Sequence, residues 1–188
     1  GERITRGQME RITLLKTPSP VLALIRKPHY TFDPATAGDE LTLALDGVQD
    51  PGNLGTIIRL ADWFGIRDIF CSPDSADLFN PKVIQATMGA IARVRVHYTE
   101  LTSLLSAIRK RDLPVYGTFL SGENIYRAEL ENRGAVVMGN EGKGVSEGCA
   151  SLASRKLFIP PYPEGAPTSE SLNVGVATAI ICSEFRRR

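Results

Sequence analysis

From Leu41 onward, short apolar runs alternate with stretches in which apolar residues recur every three or four positions. Residues 41–45, 68–71, 94–98, 115–120, 135–138 and 157–159 have the length and β-branched content of buried strands. Between them, residues 53–64, 81–88, 101–110 and a short stretch after Ser146 carry helical spacing, and a final helix follows Asn173. Strand–helix alternation with short connections predicts an α/β domain with a parallel sheet and helices on both faces. Ligand-holding loops then lie beyond the carboxyl ends of the strands. Leu172, Val176, Ala179 and Ile180 share one face of the last helix, which is expected to pack inward.

Ahead of this region the pattern is weaker. Residues 1–20 show no clear period and close on Thr17-Pro18-Ser19-Pro20, a linker-like break. Val21-Leu22-Ala23-Leu24-Ile25 predicts one short strand, and a second break spans 28–39 with Pro34 and Gly38. The expected division is a leading segment, 1–38, and a compact domain, 39–188.

Three loops at predicted strand ends carry candidate chemistry. The first, Asp50-Pro51-Gly52-Asn53-Leu54-Gly55, reads as a tight turn followed by a helix capped by Asn53, with Arg59 six positions on among Leu54, Ile57, Ile58 and Leu60. The second, Gly139-Asn140-Glu141-Gly142-Lys143-Gly144, offers bare backbone around one acid. Val145 stands where a phosphate-binding loop needs Ser or Thr after Gly-Lys, so nucleoside triphosphate binding fits poorly. No GxGxxG follows the first strand, which weakens a dinucleotide reading. The third runs from Ile159-Pro160 to Ser171-Leu172-Asn173, where Ser171 and Asn173 are residue types that bond free amides at a helix start.

Charge changes this picture little. The net charge is +1, but residues 1–30 hold six Arg or Lys against two Glu, and Arg93, Arg95 and the closing Arg186-Arg187-Arg188 add basic groups that could face a polyanion. Cys71, Cys149 and Cys182 are too far apart for a CxxC pair, and His29 and His97 are the sole histidines, so no metal site is expected. Residues 1–6 lack a secretory signal's apolar core and no run approaches the ~18 apolar residues of a membrane span. A cytoplasmic protein is expected.

The three motifs, in this order, resemble those of the SpoU (TrmH-like) family of S-adenosylmethionine-dependent RNA 2′-O-ribose methyltransferases, within the SPOUT superfamily. The resemblance rests on Asp50-Pro51-Gly52-Asn53-Leu54-Gly55 with Arg59, Gly139-Asn140-Glu141-Gly142 with Gly144, and Ile159-Pro160 with Ser171-Leu172-Asn173-Val174. It implies a parallel α/β domain with a C-terminal trefoil knot, a homodimer, and a tRNA or rRNA substrate. It assigns Asn53, Arg59, Glu141, Ser171 and Asn173 to the polar active-site set. Thr118, Phe119, Leu120, Gly139, Asn140, Glu141, Ile159, Pro160, Ser171, Leu172 and Asn173 fall in the cofactor-binding loops. Residues 162–170 look like a small insertion relative to the family, and residues 21–25 match only the last strand of an N-terminal RNA-binding domain that many members carry.

Methyl transfer to a ribose hydroxyl needs positioning rather than a metal. A guanidinium hardly loses a proton, so Arg59 suits phosphate binding and stabilisation of a developing oxyanion better than a base. Ser171 and Asn173 could orient Arg59 or the ribose, and Glu141 could fix Arg59 or close its own loop. Two rivals remain: a non-catalytic RNA-binding or cofactor-sensing module with the same pocket, and a metabolic enzyme that binds NAD or ATP on a similar sheet.

Overall fold

The computed structural model describes the chain except residues 16, 164–166, 168 and 188. The charges expected at Lys16 and Arg188, and the centre of the expected insertion, lie outside the described residues. Six strands form one sheet: β1 (Thr42–Leu45), β2 (Asp68–Cys71), β3 (Arg95–Tyr98), β4 (Val115–Asn124), β5 (Ala135–Met138) and β6 (Arg155–Phe158), in the spatial order β3-β2-β1-β5-β4-β6. Every pairing is parallel, so all six carboxyl ends share one edge.

Side-chain alternation on the strands builds two cores. Leu43, Leu45, Ile69, Cys71, Val136 and Met138 face α2 (Pro51–Trp63), α3 (Pro81–Ala86) and α6 (Val174–Arg187). Ala44, Phe70, Ala135 and Val137 face α4 (Leu101–Lys110) and α5 (Glu147–Leu152). β1 and β5 are buried at every position, which is why they read as unbroken apolar runs. α2 crosses α3 at Gly55, where a Cβ would lie 2.4 Å from Ala86 Cβ and 2.8 Å from the Val83 carbonyl oxygen.

Several expectations are corrected. Residues 21–25 form no strand; Val21 is 72% and Leu24 96% exposed, and among the described residues no strand pairs with them. Helix α1 (Arg6–Ile12) occupies the patternless start, entered through a capping box in which the Thr5 hydroxyl accepts from the Gln8 amide and the Gln8 side chain accepts from the Thr5 amide. Phe32 packs against the core, edge-on to Phe70 at 4.9 Å, and Gly38 accepts from the Gly134 amide at 2.7 Å. β4 runs beyond 120 to Asn124 through an irregular stretch between Thr118 and Glu123. On α6 the buried face is Val174, Thr178, Ile181, Cys182 and Phe185, while Leu172 and Val176 point outward at 48% and 51% exposure.

Candidate active site

α2 starts earlier than its apolar pattern. Asp50, not Asn53, is its N-cap: the Asp50 carboxylate accepts from the Asn53 amide at 2.7 Å, and Pro51 takes the first helical position, where no amide hydrogen is needed. The expected turn at 50–52 is therefore the helix entry. The Asn53 side chain, relieved of capping, points to the carboxyl edge of the sheet.

There Asn53 Nδ2 donates to Glu141 Oε1 at 2.9 Å, and Asn53 Oδ1 accepts from Asn173 Nδ2 at 3.0 Å. Asn173 in turn caps α6, its Oδ1 accepting from the amides of Gly175 at 2.9 Å and Val176 at 3.2 Å. Every donor in this relay points toward Glu141, so the partial positive charge of the α6 start is passed through two amides to a carboxylate. The relay joins the loops after β1, β5 and β6 in one cluster.

The loop after β5 is shaped by its own atoms. Asn140 Nδ2 donates to the Gly47 carbonyl at 2.7 Å, while its Oδ1 accepts from the amides of Gly142 and Lys143, and its backbone bridges to Gly144. A Cβ on Gly139 would lie 2.3 Å from both the Gly144 carbonyl carbon and the Val145 nitrogen, so the closest backbone approach at Gly139 is by this loop itself. Gly144 adopts φ +72, the left-handed region that favours glycine. Asp46 Oδ2, accepting from the Ser146 amide at 2.7 Å, adds a second tie between the β1 and β5 ends. Asp46 was not singled out by sequence, which offers no local signal for a contact 100 residues away. The Asp50 cap, by contrast, was signalled by Asp-Pro at a helix start.

The remaining expected residues spread around this cluster. Thr118 Oγ1 donates to the Val137 carbonyl at 2.9 Å, Phe119 folds back over Gly117, and Leu120 stands 70% exposed. Ile159 packs partly into the core, and Pro160 is half-buried beside it. Ser171 is exposed and does not cap α6, contrary to expectation. Arg59 lies on the exposed side of α2, and among the described residues Glu141 bonds Asn53 rather than Arg59.

Four of the other basic groups are engaged within the fold. Arg93 forms a forked pair with Asp62, and Arg187 pairs with Glu184. Arg186 donates to the Phe64 carbonyl and Asn132. Arg95 and His97 both bond Asp68. Burial alone would raise the Asp68 pKa, but the bonds from His97 and Arg95 outweigh it and hold the carboxyl below its ordinary value. Burial pushes the Cys71 and Cys182 thiols up to about 12 and Cys149 to about 11, which favours the protonated thiol near neutral pH.

Comparison with known proteins places the chain in a family. A model described as the SpoU rRNA Methylase family matches residues 40–183. The chain is 34% identical over 184 residues to the 23S rRNA (guanosine(2553)-2'-O)-methyltransferase RlmP of Bacillus subtilis, covering 97% of this chain and 71% of that protein. It is 34% identical over 154 residues to the 23S rRNA (guanosine-2'-O-)-methyltransferase RlmB of Neisseria meningitidis, covering 79% of this chain but 58% of the relative. Among solved structures, a TrmH-family protein from Porphyromonas gingivalis superposes with a TM-score of 0.81 at 45% identity, covering 95% of this chain and 70% of the other. The AdoMet-bound rRNA methyltransferase from Sinorhizobium meliloti gives 0.72 at 33%, covering 80% and 57%.

Proposed function

Since the chain belongs to the SpoU rRNA methylase family, we propose that it transfers the methyl group of S-adenosylmethionine to a ribose 2′-hydroxyl of tRNA or rRNA. The observation that carries this is the Glu141–Asn53–Asn173 relay, which brings all three motif loops together at the carboxyl edge of the sheet. Residues 39–188 are the catalytic domain in this reading, and 1–38 belong with RNA binding. The C-terminal trefoil knot comes with the family, and the protein acts in the cytoplasm, where these RNAs are made.

The residues present fit the cofactor. The loops at Thr118–Leu120, Gly139–Glu141, Ile159–Pro160 and Leu172 supply backbone groups and apolar side chains, Leu120 and Leu172 among the exposed ones. When bound, S-adenosylmethionine supplies a methyl group on a positively charged sulfur. Asn53 and Asn173 are held rigid by the relay and orient the ribose. Glu141 anchors the relay. Arg59, exposed on the same helix as Asn53, binds the phosphate next to the target ribose and stabilises charge developing on its oxygen. Ser171, also exposed, adds a hydroxyl near the same loop.

The homodimer belongs to this proposal. α6 leaves Val176 half exposed, and neighbouring α2 leaves Trp63 84% exposed, both large apolar groups on helices that are otherwise well packed.

Incubation with total RNA and methyl-labelled cofactor tests the activity. Label in dinucleotides that survive alkaline hydrolysis is expected, because a 2′-O-methyl group removes the hydroxyl that alkali uses. Cofactor binding with no label in RNA would instead identify a non-catalytic module.

A further inference from the structure

Away from the relay, a groove of about 320 Å³ runs along the free edge of β3, lined by Pro28, Tyr30, Phe32, Phe79, His97 and Tyr98 among others. From its geometry we infer that this groove takes an unstacked nucleobase of the RNA substrate, a reading that rests on the RNA methyltransferase function above.

Three observations converge. Its aromatic rings are fixed in place. The Tyr98 hydroxyl donates to the Ala76 carbonyl at 2.5 Å and accepts from the Leu78 amide at 2.7 Å, yet the residue remains 40% exposed, so a rigid ring face stays open. Tyr30 and Phe32 meet His97 edge-on at 6.3 and 5.2 Å, and His97 is stacked on Phe70 at 5.0 Å, so the opposite wall is equally braced. A flat ligand gains most from such walls, since they lose little freedom on binding.

The charge beside the groove has the right sign. Lys27 holds its ammonium 4.6 Å from the Phe79 ring centre, and Arg26 precedes it in the exposed strand of chain that leads to Pro28. Neither forms an ion pair among the described residues. The nearest acid on the loop, Asp77, is turned onto the Phe79 amide. Aromatic faces flanked by unpaired cations suit a base with its phosphate better than an apolar peptide.

The groove also opens at the correct end. Tyr98 closes β3 at its carboxyl end, and the loop after β2 that carries Leu78 and Phe79 is tied to the β1 loop by the Ala76 amide donating to the Val48 carbonyl at 2.9 Å. β3 is two strands from β1, about 10 Å at ordinary strand spacing. A single strand with its target ribose at Asn53 crosses that distance within a few nucleotides.

The probe is a ten-nucleotide single-stranded RNA carrying 5-iodouracil, with the same RNA as a duplex for comparison. Photocrosslinks are expected on Tyr30, Phe79 or Tyr98 with the single strand and not with the duplex. Phe79→Leu and Tyr30→Leu, which keep apolar bulk but remove the stacking face, should each weaken single-strand binding by about tenfold. Lys27→Glu, at an exposed position outside the core, should weaken it and flatten its salt dependence. S-adenosylmethionine affinity should be the same in all three. Unchanged RNA affinity in all three variants, or crosslinks mapping elsewhere, overturns the inference, and with cofactor binding and methylation intact it does so without touching the function. Failure of the wild type to bind cofactor or methylate RNA would overturn the function, leaving the groove to be judged by the crosslinks alone.

Discussion

At the scale of single residues, the site is legible where a side chain acts on its own neighbours and illegible where it acts across the fold. Asn173 at the start of α6 was expected to bond helix amides and does. Asn53 was read as a cap from its place before an apolar helical run and as an active-site residue from the family resemblance; Asp50 holds the cap and frees Asn53 to reach Glu141, 88 residues away. If Arg59 stabilises the transition state, Arg59→Ala should lower methyl transfer by roughly 100-fold, about 2.7 kcal/mol, with cofactor affinity unchanged. Arg59→Lys should recover little, since an ammonium lacks the planar fork. Rates at saturating RNA and cofactor decide this, and a normal Arg59→Ala removes the residue from the chemistry. Gly139→Ala is a different kind of change. Its Cβ meets backbone at 2.3 Å, so the loop must open and break the Asn140–Gly144 bridge. Calorimetry should show cofactor binding lost together with a melting temperature lowered by several degrees; a variant with native stability and native binding would show that the loop adapts.

At the scale of elements, reading was best where periodicity and burial agree. β2, α4 and β5 fall on the expected residues because their apolar positions have no competing use. Residues 21–25 are as β-prone as any of these, but a strand needs a partner edge, and propensity does not say whether one is near. α6 carries two apolar stripes, and spacing alone chose the wrong one as the core face. The outward stripe then becomes the informative one. With Val176 at a dimer contact, Val176→Arg should shift light scattering from dimer to monomer while leaving the far-ultraviolet circular dichroism unchanged, because its side chain lies outside the core. A variant that stays dimeric places the contact on another surface.

At the scale of the whole molecule, acid should loosen the β2–β3 edge once Asp68 is protonated. The Asp68 carboxyl has a lower pKa folded than unfolded, so its contribution to stability is complete above the ordinary carboxylate range and is lost as pH falls through the folded value. Urea midpoints measured from pH 6 down to 3 should fall below about pH 4, and Asp68→Asn should show a flatter decline over that interval from a lower starting stability. Equal slopes would assign the acid sensitivity to other carboxylates.

The relay at Asn173 ties the first turn of α6 to the loops after β1 and β5, and that same turn carries Val176. In the proposed homodimer, a helix held at one end by the proposed cofactor loops and along its outer stripe by a second subunit would make the two equilibria interdependent. Whatever factor the cofactor adds to subunit affinity, subunit association must add to cofactor affinity. Dilution should therefore weaken S-adenosylmethionine binding, and titrations on either side of the dimer dissociation constant would measure that factor twice, once from each direction.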